Sequence, residues 1–136
     1  MLHSEYGKPH TFSILARLYP TLDYRHRFHL DHIFPDSFFK KFELRKRGIS
    51  EHKQKFYLDN NDLIGNLQLL EGLPNEEKLD KDLIIWLEEA FPSIYERNDY
   101  MKKHYIPQNI NLSFENFEEF FNKRNNLILQ ELRKML

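Results

Sequence analysis

Two short segments of the chain have the composition of strands. Residues 27–34 (RFHLDHIF) are the first, and Pro35 ends them because proline cannot donate a ladder hydrogen bond. Residues 66–70 (NLQLL) are the second, and the turn signal Gly72-Leu73-Pro74 follows them directly. We therefore expect two short extended elements that lie far apart in sequence.

Helices are expected over most of the remaining chain, because apolar residues recur there at helical spacing. Residues 51–61 are polar and charged, and both a helix and a loop remain open for them. The other expected helices cover residues 8–18, 38–47, 80–91, 93–105 and 113–132. Their core-facing stripes comprise Phe12, Leu15 and Leu18; Leu83, Trp86, Leu87, Ala90 and Phe91; and Phe114, Phe117, Phe121, Ile128 and Leu132. The expected class is α+β and predominantly α-helical.

The composition is that of a globular domain. The 136 residues suffice for one domain with a core, 40% of them are hydrophobic, and 12 Phe and 7 Tyr predict a core rich in rings. No apolar run reaches the roughly 20 residues of a membrane-spanning helix, and the first ten residues do not resemble a secretory signal. The absence of cysteine excludes disulfides and thiolate zinc sites. We expect a single cytoplasmic domain with no membrane partner.

Charge is distributed unevenly along the chain. Residues 1–58 carry 11 Lys and Arg against 6 Asp and Glu, whereas residues 59–136 carry 9 against 15. A local basic surface is enough to follow the phosphates of a nucleic acid even in a protein of net charge -1. Ordinary variation along a chain explains the same numbers, so both interpretations stay open on composition alone.

The candidate chemistry lies in Asp31-His32, Asn66 and Asn75. Hydrolysis of a phosphodiester needs a base that works near neutral pH, and histidine is the side chain best suited to that task. It also needs a hard cation, which prefers carboxylate and amide oxygens as ligands. Taken alone, an Asp-His pair is more often structural than functional, and an isolated Asn before a turn is usually turn chemistry.

The order of three sequence blocks resembles the HNH endonuclease family. The blocks are Asp31-His32-Ile33-Phe34-Pro35, Asn66-Leu67-Gln68-Leu69-Leu70 and Asn75-Glu76-Glu77-Lys78. The resemblance implies a ββα-metal core, a hairpin followed by a helix, over residues 27–90. Additional helices would wrap this core, and residues 91–136 would form a C-terminal helical part of the same single domain, 1–136.

The same resemblance implies a role for each matching residue. His32 would be the general base, Asp31 and Asn75 would be metal ligands, and Asn66 would brace the hairpin and help to fix the imidazole as part of the catalytic group. Lys78 would meet a phosphate. Mg²⁺ is the expected ion, because it keeps waters in its coordination shell and tolerates few protein ligands. Mn²⁺ or another divalent ion is the alternative, because Asn replaces His at both later motif positions.

A narrower similarity extends to the C-terminal part of GmrSD-type restriction systems. It rests on residues 28–35, 66–72 and 116–120. In that family an HNH-like part is paired with a ParB-like nucleotide-dependent domain, and together they cut modified phage DNA. The chain shows no such upstream domain, so we expect a fragment, a separately encoded half or a stand-alone nuclease. Asn66 follows His32 by 34 positions, a longer connection than compact HNH hairpins have.

Two further predictions concern residues beside the motif. The long connection is basic, and Lys40, Lys41, Arg45 and Arg47 are candidates for contact with a DNA backbone, with a solvated helix face as the alternative. His29 precedes Asp31 by two residues and would share its side of a regular strand. It is expected to be either a partner or ligand at the metal site or a packed, hydrogen-bonded histidine.

Three functional hypotheses follow. The first is a metal-dependent DNA endonuclease of phage defence or restriction, in which His32 activates water and one divalent ion stabilises the leaving oxygen. The second is a weak or inactive module that binds DNA or docks to a nucleotide-dependent restriction subunit. The third is a protein unrelated to nucleic acid in which the motif arises by coincidence. A test of DNA cleavage separates the first from the other two.

Overall fold

The structure is a computed structural model that describes residues 5–19, 28–71 and 78–136. Its α-helices are α1 (Pro9–Arg17), α2 (Lys41–Lys46), α3 (Glu51–Asn60), α4 (Leu83–Ala90), α5 (Ile94–Lys103) and α6 (Phe117–Lys134). Its strands are β1 (Phe28–His32) and β2 (Leu67–Glu71), and 3-10 turns cover Asp36–Phe39, Ile64–Asn66 and Phe114–Asn116. The α+β, mainly helical class is confirmed. No helix within these ranges is long and apolar enough to cross a membrane.

The two strands pair antiparallel in a register that runs from Phe28 opposite Glu71 to His32 opposite Leu67. β1 lies inside the predicted segment 27–34 and ends two residues before its end, and β2 is shifted by one residue from the predicted 66–70. The backbone N–H of Ile33 donates to the carbonyl of Asn66 at 2.8 Å, which continues the pairing one step beyond β1. Since antiparallel strands run in opposite directions, the residues that follow β1 lie beside those that precede β2.

The sheet lies between two clusters of buried side chains, because successive residues of a strand point to opposite faces. Leu67 and Leu69 pack on one face, and Leu70 packs on the other. The cluster around Leu67 and Leu69 also contains Leu15, Leu18, Tyr19, Ile64, Ile128 and Leu132. The cluster around Leu70 is larger and is built from Ile33, Phe34, Leu44, Tyr57, Leu83, Trp86, Leu87, Tyr100, Phe114, Phe117, Phe120 and other buried residues.

The larger cluster is dominated by aromatic rings, as the composition predicts. The Phe34 ring meets Phe120 edge to face, with centroids 5.0 Å apart, and the Phe39 ring meets Phe117 at the same distance. Such edge-to-face pairs add to the stabilisation from burial alone. Helix α6 supplies several of these rings. The predicted stripe of Phe114, Phe117, Phe121, Ile128 and Leu132 is buried at every position.

The structure corrects two predictions about helices and decides a third that the sequence left open. Residues 38–47 do not form one helix, because Lys40 is extended (φ -89°, ψ 142°) between a 3-10 turn and α2. Residues 51–61, left open between helix and loop, form α3, and the Ser50 side chain caps it by accepting from Lys53 N. Phe12 is 42% exposed, and Thr11, hydrogen-bonded to the carbonyl of Glu5, occupies the inner position in its place.

Helix α6 is joined to the turn before β2 by a buried arginine. Arg124 is fully buried, and its guanidinium donates to the Ile64 carbonyl at 2.7 Å and the His104 carbonyl at 3.2 Å. The Phe121 ring of α6 packs so closely on Gly65 that a Cβ atom added there would lie 2.6 Å from the ring. The segment that leads into β2 is therefore positioned by the C-terminal helix.

Candidate active site at the end of the two-stranded sheet

A solvent-open cavity of about 260 Å³ lies where β1 ends. Its walls are formed by Tyr6, Leu30, Asp31, His32, Pro35, Asp36, Leu79 and Asp80. Asp31 and His32 leave β1 on opposite faces, as expected for adjacent residues of a regular strand, yet both reach this cavity because it lies at the strand end. The cavity thus contains a carboxylate and an imidazole from the predicted motif.

The Asp31 carboxylate belongs to a buried polar chain. Gln68, its cross-strand neighbour, donates from Nε2 to Oδ2 at 2.9 Å, and Tyr100 donates from its hydroxyl to the Gln68 carbonyl oxygen. The Lys78 ammonium lies 3.3 Å from the same Oδ2 atom. Burial raises the pKa of Asp31, and the ammonium of Lys78 and the amide of Gln68 oppose this shift.

Lys78 is buried, which does not fit the predicted contact with a phosphate. Its side chain is 1% exposed, and Nζ donates to the His32 carbonyl at 2.8 Å as well as facing Asp31. Burial lowers the pKa of Lys78, and the Asp31 carboxylate opposes this shift. The side chain therefore supports the end of β1, and its ammonium is engaged by two protein oxygens.

The His32 imidazole is held by contacts in two directions. Its Nε2 atom lies 2.7 Å from Oδ1 of Asp62. The Tyr6 ring stacks on the imidazole face, with centroids 4.6 Å apart and an interplanar angle of 28°. The histidine side chain remains 14% exposed. The predicted base is therefore both oriented and accessible to water.

Asp36 and Asp62 are site residues that the sequence analysis missed. One ligand atom from each of His32, Asp36 and Asp62 lies within 4.8 Å of the other two, which is close enough to hold one metal ion. Asn61 donates from Nδ2 to Asp36 at 2.6 Å. The signal was available in the pairing of the strands, since Asp36 follows β1 and Asp62 precedes β2. Antiparallel pairing brings those two segments together.

Asn66 makes the backbone contacts expected of a bracing residue. Its Oδ1 accepts from the N–H of Phe34 at 2.9 Å, and its Nδ2 donates to the carbonyls of Phe34 at 3.2 Å and Asn61 at 3.0 Å. These bonds tie the exit of β1 to the loop before β2. Because Asn66 is fully buried, any part in catalysis is indirect, through the position of His32 and its neighbours. That part stays a prediction.

Two other predicted residues are not brought into the cavity. Asn75 lies outside the described residues, so its convergence with Asp31 on one ion also stays a prediction. His29 lies on β1 two residues before Asp31, as predicted, but it does not line the cavity. Its Nε2 atom is buried and has no hydrogen-bond partner among the described residues. The packed interpretation of His29 thus lacks its expected hydrogen bond at that atom.

The predicted basic residues divide into two groups. Lys40, Lys41 and Arg45 are exposed, and Lys40 Nζ lies 3.9 Å from Asp36 at the edge of the cavity. Arg47 is different, because its guanidinium lies 4.2 Å from the centroid of the Phe38 ring and 3.8 Å from Glu115. Arg47 is therefore engaged within the protein, and its predicted contact with DNA does not fit this placement.

Comparison with known proteins adds no assignment. No protein-family model matches the chain, and no curated protein matches it. The resemblance to HNH nucleases therefore depends on the three short sequence blocks alone.

Proposed function

We propose that the protein is a metal-dependent endonuclease of the HNH type that cleaves DNA in the cavity at the end of β1. The observation that carries this proposal is the meeting of His32, Asp31 and Asp36 in one solvent-open cavity beside an exposed basic helix. The pair β1 and β2, with the chain leading into α4, would be the hairpin and helix of a ββα-metal core. Phage restriction, together with a ParB-like nucleotide-dependent partner, is the proposed setting.

The chemistry assigned to the chain begins with His32. Its imidazole is accessible, and an uncharged imidazole can take a proton from water as the water attacks a phosphorus atom. The Tyr6 ring restricts rotation of the imidazole, so the nitrogen that takes the proton is held in one place. Holding a catalytic group in the reactive orientation lowers the activation barrier, because less entropy is lost in reaching the transition state.

The residues present fit a divalent ion. Asp31 and Asp36 both line the cavity and offer carboxylate oxygens, the ligands that Mg²⁺ and Mn²⁺ prefer. Asn75 is the proposed amide ligand. A bound ion would neutralise charge on the phosphate and stabilise the leaving oxygen. Mg²⁺ keeps several waters in its coordination shell, so two or three protein ligands are enough.

The exposed cations of α2 and its entry give the DNA a path to the cavity. Lys40 stands next to Asp36, and Lys41 and Arg45 continue the basic surface along the helix. Contacts from such side chains to phosphates position a duplex without reading its sequence. The proposed substrate is therefore double-stranded DNA bound through its backbone.

The proposal predicts metal-dependent cleavage of DNA. Purified protein incubated with supercoiled plasmid and Mg²⁺ or Mn²⁺ should produce nicked and then linear DNA, because the carboxylates alone cannot stabilise the leaving oxygen. Excess EDTA should stop the reaction, and added Mg²⁺ should restore it. Intact plasmid with every divalent ion, both alone and with a co-expressed nucleotide-dependent partner, would reject the proposal.

One observation favours the second candidate, a module that binds DNA without cutting it. The Asp31 carboxylate is already paired with the buried Lys78 ammonium, so a metal must compete with an internal cation for this ligand. Retention of plasmid in a gel shift, without cleavage under any metal, would favour that module over the nuclease.

Both candidates predict that DNA affinity depends on the basic surface. Reversal of three charges, in Lys40→Glu, Lys41→Glu and Arg45→Glu together, should remove up to three phosphate contacts. The slope of log K against log salt should then fall by roughly one for each lost contact. The measurement is a salt series by fluorescence anisotropy with a DNA duplex.

The matched control reverses three exposed lysines on α5 and α6, namely Lys102, Lys103 and Lys123. This control makes the same change in net charge away from α2, and its salt slope should stay near that of the wild type. Equal slopes for the two triple variants would contradict a DNA path along α2. Absence of DNA binding by the wild-type protein would support the hypothesis of a coincidental motif.

A further inference from the structure

We propose that Asp62 is a positioning residue that fixes the tautomer of His32, so that Nδ1 is the nitrogen that accepts a proton from water. This inference rests on the proposed nuclease function and adds to it a residue outside the three sequence blocks. Asp62 is 30 residues from His32 in sequence and does not line the cavity, yet its carboxylate lies 2.7 Å from Nε2.

The chemistry of the contact selects one tautomer. An ionised carboxylate can only accept hydrogen bonds, so at 2.7 Å the shared proton must reside on Nε2. An uncharged imidazole carries one N–H and one lone pair, so the lone pair is then on Nδ1. In Ser-His-Asp enzymes a carboxylate on one ring nitrogen fixes the tautomer in the same way and stabilises the charged ring that follows proton uptake.

The loop that carries Asp62 is itself fixed from several sides. The N–H of Tyr6 donates to the Asp62 carbonyl at 2.7 Å, and an isolated β-bridge joins Glu5 to Leu63. On the other side, Asn61 donates to Asp36. The same N-terminal segment that holds the Asp62 backbone also places the Tyr6 ring on His32. The imidazole is therefore restrained in its plane by the carboxylate and across its plane by the ring.

A competing arrangement uses the same three side chains. His32, Asp36 and Asp62 are close enough to hold one ion together. In that arrangement Nε2 would bind the metal, Asp62 would be a ligand, and His32 would not act as the base. The two arrangements differ in what happens to metal affinity when the Asp62 carboxylate is replaced, and this difference decides between them.

The first measurement needs no catalysis. Two-dimensional ¹H–¹⁵N NMR of the imidazole nitrogens reports which ring nitrogen carries the proton, and the His32→Ala variant assigns the signals. The wild-type protein without metal should show His32 with its proton on Nε2. In Asp62→Asn, which keeps the size of the side chain, the amide can donate as well as accept, so the Nδ1–H form should become populated. An Nδ1–H imidazole in the wild type would overturn the inference.

The second measurement separates positioning from metal binding. At saturating metal, Asp62→Asn should lower kcat for plasmid cleavage by about 10- to 100-fold, a part of the contribution expected from a general base. The KM for DNA should stay within about threefold of the wild type, and so should the dissociation constant of Mn²⁺ measured by calorimetry. Both are expected because a positioning residue does not contribute to binding of the substrate or the metal in the ground state.

The matched control is Asp59→Asn, the same change at an exposed residue three positions earlier, which pairs with Lys55 on α3. It should cleave like the wild type. Equal kcat values for the two variants would overturn the role of Asp62. A tenfold or greater loss of Mn²⁺ affinity, with kcat restored by excess metal, would show that Asp62 is a ligand. Wild-type protein that cleaves nothing with any divalent ion, both alone and with the co-expressed partner, would reject the nuclease itself, whichever tautomer the NMR shows.

Discussion

Replacement of His32 with alanine should lower the rate of plasmid cleavage by about 10²- to 10⁴-fold, the range expected for loss of a general base. The protein should remain folded, because the imidazole bonds to a carboxylate that is itself 53% exposed. Loss of such a solvent-accessible bond costs about 1 kcal/mol or less. Cleavage is measured at saturating metal with enzyme in excess over plasmid, and stability is measured by urea unfolding.

The control for this variant is His52→Ala, which removes an exposed histidine from α3. It should leave both cleavage and the free energy of unfolding near the wild-type values. A His32→Ala protein that cleaves as fast as the His52→Ala protein would contradict the assignment of the base. If His32→Ala instead unfolds, Tyr6 and Asp62 depend on the imidazole more than their exposed positions indicate.

Replacement of Lys78 with methionine should lower the free energy of unfolding by about 3–5 kcal/mol, the usual cost of breaking a buried ion pair from one side. The physical cause is the Asp31 carboxylate, which would stay largely buried and lose its cation. The His32 carbonyl would also lose the bond that it accepts from Nζ at 2.8 Å. Urea unfolding of both proteins provides the measurement.

Two further variants test the cause of that loss. Lys81→Met removes a lysine whose side chain is 40% exposed and should change stability by less than about 1 kcal/mol. The double variant Lys78→Met with Asp31→Asn should recover much of the stability, because no charge is then left unpaired. If Lys78→Met is as stable as the wild type but binds DNA more weakly, Lys78 meets a phosphate, and its buried position does not describe the DNA-bound protein.

The positions of the strands and helices were largely predictable, because they depend on local composition and spacing. The ends of β1 and β2 lie within two residues of the predicted ones, and the apolar stripe of α6 is buried as expected. The contacts of Asn66 with the Phe34 backbone agree with the bracing role that the sequence resemblance implies. Such features can be predicted from residues that are close in sequence or from a recognisable sequence pattern.

The environment of the charged residues could not be predicted in the same way. Lys78 is polar and follows a turn signal, so nothing local shows that it is buried against a carboxylate 47 positions earlier. Arg47 belongs to a basic run, yet only the fold brings it against the Phe38 ring. Asp62 directly follows the polar segment 51–61, for which the sequence left helix and loop open, and its contact with His32 forms only when the strands pair.

The buried Arg124 has a consequence for the independence of the hairpin. It ties the last helix to the Ile64 carbonyl, one residue before the glycine that touches Phe121. The entry to β2, and with it the Asp62 loop, is therefore built partly from α6. A hairpin excised at residue 90 would lose these contacts with α6, so any transplant of the candidate site into another scaffold must include the last helix.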